Sequence, residues 1–169
     1  MLIMRKLLVY QIVFLALGAV TLGCTVPDAD LGSDSLIATT SGMVSPELGP
    51  EGSIAYKDIP FAEPPEGDRR WAAPAPLTSP ERVIAARSDP VMCPQPQSMA
   101  SGGAEGDYLG SEDCLYLDIY TPSGSAESAA APVMLWIHGG SNLTGHKGTY
   151  DFSRFAARQQ VVVVVINYR

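Results

Sequence analysis

His138-Gly139-Gly140-Ser141-Asn142 directly follows the apolar run Val133 to Ile137, and its residue types could do chemistry. Paired glycines at the C-terminal end of a strand let the backbone turn sharply and bring N–H groups close to a ligand. Two such groups about 3 Å from a developing alkoxide form an oxyanion hole, where losing one donor typically costs roughly 3 kcal/mol. Gly-Gly after a strand also serves as a plain turn, so the pair needs its context. Other chemistries find less support. The three Cys and two His show no cluster with zinc spacing, so no metal is expected. Neither common Gly-rich phosphate loop occurs. The 18 acidic and 11 basic side chains give a net charge of −7. Leaving out Arg5 and Lys6, the rest carries about −9. Such a polyanion repels a phosphate backbone, so no nucleic acid partner is expected.

The elements that must position this loop are periodic. Leu115 to Tyr120 alternates and suits a strand with one face more buried, and Val133 to Ile137 reads as a strand covered on both faces. Asp151 to Gln160 fits a short helix, capped by Asp151 or Ser153, with Phe152, Phe155 and Ala156 on one side. Val161 to Ile166 is a run of six β-branched residues, the strongest buried-strand signal in the chain. It needs neighbours on both sides and both faces, and left uncovered it would be an aggregation site. Strand, loop, helix, strand implies an α/β layer with a parallel sheet. Ahead of it, Ile37 to Val44 and Ser53 to Ile59 read as two short strands around a turn at Ser45 to Gly52. All 14 prolines lie between Pro27 and Pro132, so beyond Pro60 the chain must run as ordered coil. Gly102 to Gly110 reads as an exposed loop.

The N-terminal block has a different character. Arg5 and Lys6 precede Leu7 to Leu22, which is almost wholly apolar. As a helix this run rises about 24 Å, short of the roughly 30 Å hydrocarbon core. Residues 1–23 therefore read as a secretory signal, with an uncleaved anchor as the alternative. Thr21-Leu22-Gly23-Cys24 resembles a bacterial lipobox, whose Cys becomes the lipidated first residue, although Thr21 stands where Leu is favoured. On that reading a lipid on Cys24 holds the protein at a membrane, residues 24–35 form a tether, and residues 36–169 form the domain. Cys93 and Cys114 then remain as an even pair in an exported, oxidising compartment. A bridge between them closes a loop of about 22 residues and stabilises by roughly 3 kcal/mol.

From about Ser41 to Arg169 several phrases occur in a fixed order. They are Tyr56-Lys57-Asp58-Ile59-Pro60-Phe61-Ala62-Glu63-Pro64-Pro65-Glu66-Gly67, Arg70-Trp71, Cys93-Pro94-Gln95, and Ser111-Glu112-Asp113-Cys114-Leu115-Tyr116-Leu117-Asp118-Ile119-Tyr120-Thr121-Pro122. Pro132-Val133-Met134-Leu135-Trp136-Ile137-His138-Gly139-Gly140 and Asn167-Tyr168-Arg169 complete the series. In these phrases the sequence resembles the type-B carboxylesterase family, the carboxylesterase, lipase and cholinesterase group of α/β-hydrolases. The fold implied is α/β, the N-terminal part of an α/β-hydrolase: a short β-hairpin, Pro-rich ordered coil, then strands of the central sheet.

The resemblance implies a serine carboxylesterase acting on small-molecule esters and needing no cofactor. It assigns the oxyanion-hole donors to the N–H groups of Gly140 and Ser141, with Gly139 shaping the loop. Many members carry a third Gly and an aromatic where this chain has Ser141 and Asn142. It pairs Cys93 with Cys114, in agreement with parity, and Arg70 with Glu112. His138 and His146 are not expected to be the general base, which in the family follows the nucleophile. The sequon Asn142-Leu143-Thr144 is discounted. No Gly-x-Ser-x-Gly occurs; Gly139-Gly140-Ser141-Asn142-Leu143 comes nearest and lacks the second glycine. The family places Ser, acid and His after the Asn-Tyr-Arg phrase, so the chain reads as an N-terminal fragment, truncated before the nucleophile elbow and inactive alone. The alternatives are a non-catalytic, cholinesterase-like binding or adhesion module, or a non-functional truncated product.

Overall fold

The computed structural model describes residues 36–87, 91–97, 106–123 and 131–169. The signal, Cys24 and the tether lie outside them. Five strands form the principal sheet: β3 (Pro46–Leu48), β4 (Ile54–Pro60), β8 (Tyr116–Thr121), β9 (Val133–Ile137) and β10 (Val162–Ile166). Their order is β3-β4-β8-β10-β9. β10 runs antiparallel to β8 and parallel to β9, with Val164 opposite both Ile119 and Leu135. A second sheet joins β1 (Ile37–Thr39), β2 (Gly42–Val44) and β5 (Val83–Ile84), and β6 (Gln95–Pro96) pairs with β7 (Tyr108–Leu109).

The six-residue Val/Ile run finds its neighbours. β10 lies between β8 and β9, and Val163 and Val165 are fully buried with Ala55, Tyr120 and Ala156. Each such valine is stabilised by roughly 1.5–3 kcal/mol relative to exposure. The helix α1 (Ser153–Gln159) covers this face through Ala156, next to Phe152. Asp151 Oδ1 accepts from the Ser153 N–H at 2.8 Å, and Gln160 ends the helix in a left-handed conformation, φ 53°. Phe155 turns partly outward. On the other face Leu117 and Ile119 pack against Val44, Ile59 and Ile84, so the small sheet lies over β8. A third cluster surrounds the Cys93–Cys114 bond, with Ala62, Val91, Leu115 and Tyr116.

Four expectations need correction. Ile37 to Val44 is a hairpin of two strands, closed where the Thr39 hydroxyl donates to the Gly42 carbonyl at 2.7 Å. The segment expected to be only a turn contains β3, because Pro46 to Leu48 can pair with Ile54 to Tyr56. β9 is not covered on both faces. Met134 and Trp136 pack beneath α1, but Val133, Leu135 and Ile137 are exposed, since β9 is the edge strand and no described element lies over that face. Tyr108 and Leu109, expected in a loop, form β7; residues 102–105 lie outside the described set.

Candidate active site

The loop after β9 begins with a locked ring. His138 is buried, stacks on Tyr168 with ring centres 4.3 Å apart, and accepts at its carbonyl from the Tyr168 hydroxyl at 3.0 Å. The backbone then passes through three consecutive positive φ angles: Gly140 at 122°, Ser141 at 58° and Asn142 at 58°. The Gly140 carbonyl accepts from the N–H groups of Leu143 and Thr144 at 3.0 and 3.1 Å, closing the turn. A Cβ on residue 140 would lie 1.8 Å from the Thr144 carbonyl oxygen, so only glycine fits. Left-handed φ costs a non-glycine residue roughly 1–2 kcal/mol, less for Asn. Gly139 to Leu143 are exposed, and among the described residues neither the Gly140 nor the Ser141 N–H donates a hydrogen bond.

The returning half of the loop is held by side chains from elsewhere. Gly145 N–H donates to Gln95 Oε1 at 2.7 Å, and Gln95 Nε2 donates to the carbonyls of Gly145 and Cys93, both at 3.0 Å. Lys147 N–H donates to Asn167 Oδ1 at 2.7 Å. Asn167, 1% exposed, donates through Nδ2 to the carbonyls of Val91 and Cys114. Cys93 and Cys114 are joined, 21 residues apart in sequence, so the loop's anchors converge on one covalent link.

Beneath the stem lies an ionic cluster. Lys147 Nζ is 2.7 Å from Asp58 Oδ1 and 2.6 Å from Asp118 Oδ1, and all three side chains are buried. Asp58 occupies a bulge in β4 at φ 57°. Its N–H donates to Asp118 Oδ1 at 2.8 Å and its Oδ2 accepts from the Arg87 N–H at 2.7 Å. Burial pushes the Asp118 carboxyl above its usual range, against the pull of Lys147. Burial, with the charges of His138 and Lys147, pushes the His146 imidazole below its usual value, and its Nδ1 accepts from the Gly148 N–H.

A cavity of about 80 Å³ lies beside the loop, lined by Cys93, Gln95, His138, Asn142, Thr144 and Tyr168 among others. That is below the roughly 300 Å³ at which small-molecule pockets begin. A wider cleft of about 390 Å³ opens between Arg70, Trp71, Cys93, Glu112 and Arg169. Arg70 Nε is 2.5 Å from Glu112 Oε1 there, and Trp71 is 94% exposed at φ 63°. The structure thus ties Cys93 through Gln95 to Gly145, at the returning end of the loop that carries Gly139 to Ser141, ties Cys114 through Asn167 to Lys147, and sets Arg70 and Glu112 on the cleft next to the disulfide. Sequence reasoning missed Gln95, Lys147, Asp58, Asp118 and Asn167. A lone Asp within each of two strands was the available signal.

A profile of the carboxylesterase family matches residues 35–169. The chain is 42% identical over 129 residues to human cocaine esterase, covering 70% of this chain and 22% of that protein. It is 36% identical over 169 residues to mouse carboxylesterase 1E, covering 94% and 30%. Among solved structures, a thermophilic PNB esterase is 38% identical with a TM-score of 0.67, covering 79% of this chain and 28% of that one. A carboxylesterase of Geobacillus stearothermophilus is 36% identical with a TM-score of 0.64, covering 79% and 26%. The chain thus spans roughly a quarter of the length of the curated relatives it matches. With the profile, these relatives and the α/β-hydrolase sheet in agreement, the chain belongs to the carboxylesterase family.

Proposed function

We propose that residues 36–169 are the N-terminal portion of an α/β-hydrolase domain and supply the oxyanion loop for serine-dependent hydrolysis of a small carboxylic ester. The serine hydroxyl adds to the ester carbonyl while its proton passes to a histidine base. The carbonyl oxygen takes up the negative charge and is held by the N–H groups of Gly140 and Ser141. The C–O bond then breaks, the alcohol leaves with the histidine's proton, and water releases the acid by the same steps. Nucleophile, acid and base come from polypeptide outside these 169 residues, which contain no Gly-x-Ser-x-Gly. The observation that carries this reading is the run of positive φ at Gly140, Ser141 and Asn142, with Gly140 and Ser141 both exposed and neither N–H bonded among the described residues. Residues 1–23 act as an export signal, Cys24 carries a lipid and residues 24–35 tether the domain to a membrane. The Cys93–Cys114 bond accords with an exported compartment.

The test is to exchange residues 36–169 for the matching segment of the thermophilic PNB esterase and assay a p-nitrophenyl ester. The chimera should hydrolyse it. Ser141→Gly keeps both the N–H and the φ and should retain activity. Ser141→Pro removes the N–H and forbids φ 58°, and should lower kcat by about 10²–10³-fold. A folded but inactive chimera, or an active Ser141→Pro variant, overturns the reading.

A further inference from the structure

Lys147 serves no role in the reaction just proposed, yet it is 5% exposed and faces two buried carboxylates with one positive charge. Apolar side chains of similar volume pack an interior at least as well as such a cluster, so stability alone does not account for it. What it does is connect. Asp58 belongs to the bulge of β4, Asp118 to β8 and Lys147 to the returning half of the loop. The neighbouring polar contacts share that direction. Gly145 N–H reaches Gln95 Oε1 and Lys147 N–H reaches Asn167 Oδ1, each at 2.7 Å.

From this stem the chain reaches Gly140 in five residues, and the Leu143 and Thr144 N–H groups are bonded to the Gly140 carbonyl. Peptide planes so closely linked leave little freedom between anchor and tip. A Cβ on Gly145 would lie 2.4 Å from His138 Nδ1 and 2.5 Å from the Gly139 carbonyl oxygen, so the stem also packs directly on the start of the loop. We propose that Lys147 is a positioning residue for the oxyanion loop: its ammonium, clamped between Asp58 and Asp118, fixes the orientation of the Gly140 and Ser141 N–H groups. This rests on the reading of the loop given above.

Amide hydrogen exchange on the 169-residue chain tests the anchoring without an ester. In Lys147→Met, which keeps the length but not the charge, exchange at residues 145 and 147 should accelerate by about tenfold or more, while Val163 and Val165 keep their rates. Asp118→Asn keeps both acceptor contacts and one opposing carboxylate, and should leave all four rates within about twofold. Unchanged rates at 145 and 147 in Lys147→Met overturn the proposal, as does loss of protection in stem and strand together. Should Lys147→Met fail to fold, the double variant with Asp118→Asn has one buried carboxylate fewer and carries the same test.

In the esterase chimera, Lys147→Met should lower kcat per titrated active site about tenfold with KM within about twofold, because oxyanion donors act in the transition state. A plain folding role would reduce the number of titratable sites and leave kcat per site intact, and that result also overturns the proposal. Should Ser141→Pro leave the chimera active, the oxyanion reading falls, while exchange still reports whether Lys147 anchors the loop.

Discussion

Residues 138–143 and 145–147 belong to one loop, and the chain treats its two halves in opposite ways. In the outgoing half Gly140 and Ser141 are exposed, their N–H groups have no partner among the described residues, and two non-glycine residues sit at φ 58°. In the returning half the Gly145 and Lys147 N–H groups meet side-chain oxygens fixed to the Cys93 and Cys114 carbonyls. Strain at the tip is sustainable because the stem is over-determined; unpaired donors and a saturated anchor are two parts of one arrangement.

Substitutions can break or sharpen that contrast. The largest effect is expected at Asn167→Ala, which orphans the Lys147 N–H and the Val91 and Cys114 carbonyls in a buried setting. Each such group costs roughly 1–3 kcal/mol, so urea denaturation should show a loss of about 3 kcal/mol or more. Reduction of Cys93–Cys114 should cost roughly 3 kcal/mol in the same assay. At the tip, Gly140→Ala forces a Cβ against the Thr144 carbonyl and should cost about 1–3 kcal/mol. Ser141→Gly relieves the positive φ and should change stability by less than about 0.5 kcal/mol. A larger loss there than at Asn167 would erase the contrast.

Asp118 supplies a pH test. Its carboxyl is raised above the ordinary 3.8, so the folded chain disfavours the ionised form. That contribution to stability is complete below the unfolded value and is lost as pH rises through the folded one. Asp118→Asn, uncharged throughout, should remove this decline and leave neutral-pH stability at or above the parent, measured by urea titration at several pH values. A small effect is expected at Arg70→Ala in the same urea assay, since Arg70 and Glu112 form a partly exposed pair worth under about 1 kcal/mol.

Much of this was legible in the sequence where the signal is local. The Val161 to Ile166 run announced a buried inner strand, and Gly139-Gly140 announced the turn. β9 misled because Val133 to Ile137 is apolar on both faces, and composition cannot report which neighbours a strand meets. The first hairpin was misplaced because Gly42, at φ 139°, turns the chain earlier than the Pro/Gly cluster at residues 45–52 suggested. The stem was invisible for a different reason. Asp58 and Asp118 are 60 residues apart, Lys147 and Asp118 29 apart, and Gln95 and Gly145 50 apart. No window short enough to show periodicity contains such a pair.

Trp71 offers a practical consequence. The chain has two tryptophans: Trp136 is half-sheltered against Tyr150 and Phe152, whereas Trp71 stands almost wholly in water at the mouth of the wider cleft. Its indole is a built-in lamp whose colour reports wetness. Iodide should quench it readily in the isolated chain, and whatever comes to rest over the cleft will shift its emission to the blue and shield it.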